Sequence, residues 1–121
     1  MTATTRFPRR VYEAGSEPDP RFSLANERTF LAWIRTALAL IAAGVALEAL
    51  AVPLQPALRL AASILLLALG LLAPLLAWLT WGTVELALRQ GSPLPGSKVS
   101  LPIAIGVSTA AALLVLGILT R

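Results

Sequence analysis

Neither cysteine nor histidine occurs in this chain of 121 residues. Their absence removes disulfides, thiolate nucleophiles, imidazole bases and nearly every common zinc or copper site, so no metal is expected. Charge is scarce too: 13% of residues are charged, against about a quarter in an ordinary soluble domain. What is present is aliphatic. Hydrophobic residues make up 57% of the chain, which argues against a water-soluble globule, and the length suits one domain. Residues 60–84 and 99–120 carry no charge, and both stretches exceed the roughly 18 apolar residues that mark a membrane span. A soluble bundle needs a polar stripe on each helix, whereas residues 60–79 offer only Ser63.

The fold class expected is all-α: an integral membrane three-helix bundle without β-sheet, its spans at about 30–50, 60–81 and 101–120. Residues 1–18 form a leader in which Arg6, Arg9 and Arg10 stand against Glu13 and Glu17, with Pro8 and Pro18 and few apolar groups. That composition predicts a disordered cytoplasmic segment. The leader is longer than a signal-peptide n-region, and Arg35 interrupts the apolar run behind it, so the first span is expected to be retained. The membrane domain is residues 19–121.

Its first helix is predicted to begin at Pro20 or Ser23, capped by Asp19 or Ser23, and to run to Leu50. The prolines of Val52-Pro53-Leu54-Gln55-Pro56 then stop it. The second helix starts at Arg59 or Leu60 and runs to Trp81 with Pro74 as an internal kink, continuing as an amphipathic stretch over residues 84–89. Glycines and prolines in residues 91–96 mark a loop, and Ser100 is the expected cap of the third helix.

Basic residues near span ends are retained in the cytoplasm. With the N-terminus inside, that side holds Arg6, Arg9, Arg10, Arg21, Arg28, Arg35, Arg89 and Lys98, and the far side only Arg59 and Arg121. Trp33, Trp78 and Trp81 gather at the same boundary, as interfacial anchors do. The chain therefore reads N-in, C-out.

The chemistry-bearing segment lies around residues 26–36. Arg28 and Arg35 are seven residues apart, within about 20° on a helix surface and roughly 10 Å along its axis, with Thr29 and Thr36 repeating that spacing beside them. Together they form a ladder of donors for an anion. Arg35 lies inside the apolar run, where a lipid-facing charge costs roughly 2.5–3.5 kcal/mol on insertion scales. Three accounts offset that cost: snorkelling to the interface, an interhelical ion pair with Glu85, or guanidinium contacts to phosphate groups. Glu27 is about 80° and two turns away and does not reach Arg35. Glu85 and Arg89 have the spacing of a helical ion pair, and Arg89 could also join the anion site. Glu48 and Arg59 flank the outer turn and are placed to pair across it. Ala39, Ala43, Gly44, Gly106, Ala110 and Gly117 permit close helix approach, within one chain or between chains.

No catalytic constellation is present: Glu27, Glu48 and Glu85 lie on different helices or opposite membrane sides, and no Gly-rich phosphate loop with a lysine occurs. An enzyme is not expected, and no cofactor. The four arginines up to Arg21 are diluted by three acids, which fits a membrane-flanking segment rather than a nucleic-acid contact.

The run Asp19-Pro20-Arg21-Phe22-Ser23-Leu24-Ala25-Asn26-Glu27-Arg28-Thr29-Phe30-Leu31-Ala32-Trp33-Ile34-Arg35-Thr36 resembles the signature of the YidH-like inner-membrane family, known as domain of unknown function 202. The stretch Val84-Glu85-Leu86-Ala87-Leu88-Arg89-Gln90-Gly91-Ser92-Pro93-Leu94-Pro95 resembles that family's linker before its last span. The same domain type is similar to the membrane part of the vacuolar transporter chaperone, the polyphosphate polymerase complex, whose three-helix subunits gather around a polyphosphate path. The resemblance implies, by position, Glu27, Arg28 and Arg35 as path residues. No counterpart of the polymerase or inositol-phosphate-sensing domains occurs in the 121 residues, so polymer synthesis is not implied, and Thr80-Trp81-Gly82-Thr83 carries less positive charge than the family pattern.

The function expected is a small multi-pass protein of the bacterial inner membrane, a homo-oligomer or a partner of another membrane protein. It acts as a scaffold or conduit subunit whose cytoplasm-facing site for phosphate or polyphosphate uses Arg28, Arg35, Thr29, Thr36 and Arg89, oriented by Glu27 and Glu85. The alternative is a purely structural membrane partner whose charges only snorkel or pair; a transporter of three unbroken spans would need several chains.

Overall fold

Among the described residues, 6–121, the computed structural model contains four helices and no strand. They are α1 (Arg9–Tyr12), α2 (Pro20–Ala49), α3 (Pro56–Gln90) and α4 (Ser100–Leu119). The last three are long and apolar enough to cross a membrane. The local chemistry explains their limits. The Asp19 carboxylate accepts the Arg21 backbone N–H at 2.9 Å, with Pro20 at the first helical position, so a cap and a pre-set φ open α2 together. Gln55 does the same for α3: its side chain accepts the Leu58 N–H at 2.8 Å, with Pro56 following. That cap moves the helix start three residues ahead of Arg59.

Pro74 does not end α3, which is continuous over 35 residues. At the helical rise this is about 52 Å, against about 30 Å of hydrocarbon, so the last turns extend past the span. At α4 the expected cap is corrected. Ser100 is already helical, and the Ser97 hydroxyl accepts the N–H groups of Val99 and Ser100 at 3.2 and 3.3 Å.

α3 is the central helix. α2 and α4 each pack on it, with no close backbone approach to one another. The shared core is made of small and aliphatic groups, among them Ala37 and Leu40 of α2, Leu66, Leu69, Ala73 and Ala77 of α3, and Ile103 and Ala110 of α4. Ser63 is buried and satisfied, its hydroxyl donating to the Gly44 carbonyl at 2.6 Å. At Gly44 the helices are so close that a Cβ would lie 2.9 Å from Leu67 Cγ. Gly106, Ala110 and Gly117 are likewise buried, whereas Ala39 and Ala43 face outward from α2. Arg59 and Glu48 pair across the short turn at 3.4 Å.

The leader departs from expectation. Residues 6–18 are not a free segment: α1 packs on α3, and Val11 is fully buried. Residues 1–5 of the expected leader lie outside the described residues. Because α2 and α4 begin where α3 ends, eight of the ten cations gather at one end of the bundle, with Arg59 and Arg121 at the other.

Candidate functional site

At the cation-rich end, three stretches of chain converge. The last turns of α3 supply Trp81, Glu85 and Arg89, the first turns of α2 supply Ser23 and Asn26, and the leader supplies Tyr12 to Glu17. Residues 81, 85 and 89 are four apart and so fall on one face of α3. Glu85 is 2% exposed. Its carboxylate accepts the Ser23 hydroxyl at 2.7 Å and Asn26 Nδ2 at 3.3 Å, while the same amide also donates to the Trp81 carbonyl at 3.0 Å. A buried carboxylate costs heavily unless hydrogen-bonded, and these neutral donors are what hold it among the described residues.

Arg89, 6% exposed, turns the other way along α3. Its guanidinium donates to the carbonyls of Tyr12 (2.7 Å) and Ala14 (2.9 Å) and to Glu17 Oε1 (3.0 Å). The Ser16 N–H returns a bond to the Arg89 carbonyl at 3.0 Å. Gly15, with φ of +54°, lets the leader come this close, since a Cβ there would sit 2.0 Å from the Arg89 carbonyl oxygen. Glu17 also pairs with Arg6. The bonds from Arg6 and then Arg89 hold the Glu17 carboxyl below its ordinary pKa.

Burial, then the negative charge of Glu85, raises the Tyr12 phenol above its usual pKa; Glu27 adds in the same sense, and Arg6 and Arg89 oppose. Arg6 lies over the Tyr12 ring, 4.4 Å from its centroid. Around these groups sit a shallow cavity of about 210 Å³, lined by Arg6, Tyr12, Glu17, Ser23, Glu85 and Arg89 among others, and two further ones. One, of about 270 Å³, lies between the leader, α2 and α3, with Glu27, Glu85 and several rings in its wall. The other, of about 290 Å³, lies where α2, α3 and the loop before α4 meet, with Asn26, Thr29, Thr80 and Ser97 as its polar lining.

The expected anion ladder is only partly assembled. Arg28 and Arg35 lie on the outer face of α2, both exposed, with no ion pair or hydrogen bond from either side chain among the described residues. Thr29 and Thr36 stand beside them, but their hydroxyls donate at 3.2 Å to the carbonyls of Ala25 and Ala32. Arg89 is not part of the ladder, because the leader occupies its guanidinium. The pairings Arg35–Glu85 and Glu85–Arg89 do not form. Arg35 is nine residues from Asn26, about half a turn out of phase, so it points away from α3. Glu27 joins the wall that Glu85 lines and is not beside Arg35.

Ser23, Asn26 and Tyr12 were not singled out from the sequence as site residues. Asn26 at 9% exposure is the informative one: an amide followed by charges at a span boundary reads as solvated until its phase against α3 is known. Among the described residues no three Asp or Glu side chains converge as metal ligands.

Comparison with known proteins finds relatives of the chain. Residues 21–87 match the profile described as a domain of unknown function, DUF202. The inner membrane protein YidH of Escherichia coli K12 is 44% identical over 111 residues, covering 90% of this chain and 95% of that protein. An uncharacterized protein of Mycobacterium tuberculosis H37Rv is 42% identical over 92 residues, 75% of each chain. No solved structure matches significantly.

Proposed function

We propose, from the premise that this chain belongs to the DUF202 family, that it is an oligomeric scaffold or conduit subunit of the bacterial inner membrane, with its N-terminus cytoplasmic and Arg28 and Arg35 presented to phosphate-like anions. The relative named an inner membrane protein supports the location, and eight of ten cations at one end support the orientation. One observation carries the anion site: two guanidinium groups share a stripe on the outer face of α2 without a partner in the described chain. Ionisable groups within a span ordinarily face a bundle interior or a polar cavity. Here the compensating group comes from outside the chain, as a headgroup phosphate, a polyphosphate, or a second copy that closes the site. Arg28 and Arg35 are the binding groups, and Thr29 and Thr36 border them.

The test is phosphate and polyphosphate binding and flux in liposomes holding the full chain. Arg28→Ala and Arg35→Ala should each weaken binding about tenfold, the 1.4 kcal/mol scale of a lost charge-assisted contact. Equal behaviour in correctly folded variants rejects the anion site. A second reading, a structural membrane partner without ligand, draws on Arg89, whose bonds all serve to dock the leader. Native mass determination of the assembly purified from membranes separates the two: a homo-oligomer fits a conduit subunit, and a stoichiometric foreign partner fits a structural role.

A further inference from the structure

We propose that the crevice between the leader, α2 and α3 is a binding site for an organic ammonium group, carried either by a free alkylammonium ion or by a phospholipid headgroup. Its wall is aromatic on several sides. Trp78 and Trp81 stack with centroids 5.1 Å apart, Phe30 meets Trp78 edge-on at 6.1 Å, and Phe7 stacks with Trp78 at 6.3 Å. Tyr12 adjoins Trp81 at 6.1 Å. These rings come from the leader, α2 and α3, which are brought together only by the fold. Interfacial anchoring explains a tryptophan facing headgroups. It does not explain a ring cluster built around a cavity with carboxylates in its wall.

Two carboxylates line that cavity, Glu85 at its buried back and Glu27 on its exposed rim. Neither has an ion pair among the described residues. Glu85 is held by the neutral donors Ser23 and Asn26, and Arg89, one turn along, is committed to the leader. The crevice wall thus carries, among the described residues, two carboxylates, several rings and no cation of its own, with Arg6 and Arg89 standing on its Tyr12 side, and this lining favours a cation over phosphate. Among the described residues no three carboxylates are grouped to hold a metal ion. A weakly hydrated ammonium suits aromatic faces backed by carboxylate, since ring quadrupoles attract such ions most where water is displaced. The Tyr12 ring already receives guanidinium groups of this chain, Arg6 at 4.4 Å and Arg89 at 5.5 Å from its centroid. The volume of about 270 Å³ accommodates a methylated ammonium.

The experiment uses the full chain in a non-ionic maltoside detergent, with Trp33→Phe so that emission reports Trp78 and Trp81. Tetramethylammonium chloride is titrated against sodium chloride at equal ionic strength. A saturable emission shift is expected with the ammonium salt alone, its midpoint rising at least tenfold in Glu85→Gln. Glu27→Gln alters an exposed residue and so retains the fold; it should raise the midpoint about threefold. Absence of a saturable shift beyond that of sodium chloride, or unchanged midpoints in the carboxylate variants, overturns the proposal. Nanodiscs distinguish the source of the ammonium. A response in phosphatidylglycerol discs that vanishes in phosphatidylcholine discs assigns the site to a lipid headgroup, and an equal response in both assigns it to a free ion.

Discussion

The end of α3 and the start of α2 lie side by side, and each carries arginine, yet their arginines live differently. Arg89 is sequestered, with three oxygen acceptors from the leader. Arg28 and Arg35 stand exposed on the opposite flank of α2. Charge is similar; rotational phase and depth are not, since Asn26 is level with Glu85 and Arg35 lies nine residues, about 13 Å at the helical rise, further along α2. The face of α2 that bears Asn26 is turned to α3, and a displacement of about 13 Å along the axis and half a turn around it carries Arg35 out of reach of Glu85. A guanidinium that finds carbonyls inside its own chain is structural, and one that finds none is available to something else.

Four substitutions or conditions sharpen this contrast. Arg89→Met should be the most damaging, because it removes every side-chain donor that holds the leader and strands the Tyr12 and Ala14 carbonyls. The cost expected is about 3 kcal/mol, the upper range for bonds to a charged group, read as faster tryptic cleavage after Arg9 and Arg10. Gly15→Val should cost about 2 kcal/mol through a positive φ and a Cβ driven into the Arg89 carbonyl, with the same proteolytic signature while helix content by circular dichroism stays constant. If either variant leaves cleavage unchanged, the leader is not docked through Arg89.

Acid should act more gently. The Glu17 carboxyl is depressed in the folded chain, so its pairing stabilises the docked leader fully above the ordinary glutamate pKa and is lost as pH falls through the depressed value. Tryptophan emission from Trp81, beside Tyr12, should change over that window and not between neutral and mildly acidic pH, and Glu17→Gln should abolish the change. The smallest structural effect belongs to the exposed flank. Arg28→Ala with Arg35→Ala should shift thermal stability in detergent by no more than about 0.5 kcal/mol; a larger loss would mean these arginines hold the fold after all.

Much of the helical frame follows from residues that can be named in the sequence. Asp19-Pro20 opens α2, the proline-bearing turn ends it, and the charge-free stretches form α3 and α4 as the composition requires. The docked leader was hidden because charges and prolines dominate residues 6–18, while its anchors are a single valine, a single tyrosine and a glycine. Val11, fully buried, was the available signal. The Glu85 partnership was hidden for a different reason. Hydropathy puts Arg35 and Glu85 on the same side of the membrane, but the register and angle of α2 against α3 are set by packing at contacts such as Gly44 against Leu67 and Gly70 against Ile41, which put Glu85 level with Ser23 and Asn26 instead. Ser97 took the cap from Ser100 because the loop, whose course no periodicity encodes, delivers its hydroxyl to the helix start.

The layered order, with α3 between two helices whose backbones stay apart, leaves the subunit with two lateral edges of unlike character. One edge displays guanidinium and alanine; the other, along α4, has no charge at all. Copies joined through their α2 edges are related by a two-fold axis, and the two arginine stripes then confront each other across a single seam, whereas joining through the α4 edges leaves the stripes on the outside. Copies joined by unlike edges repeat head to tail, and each stripe meets only hydrocarbon from its neighbour. The symmetry of the assembly thus decides whether the arginines share an anion or stay apart.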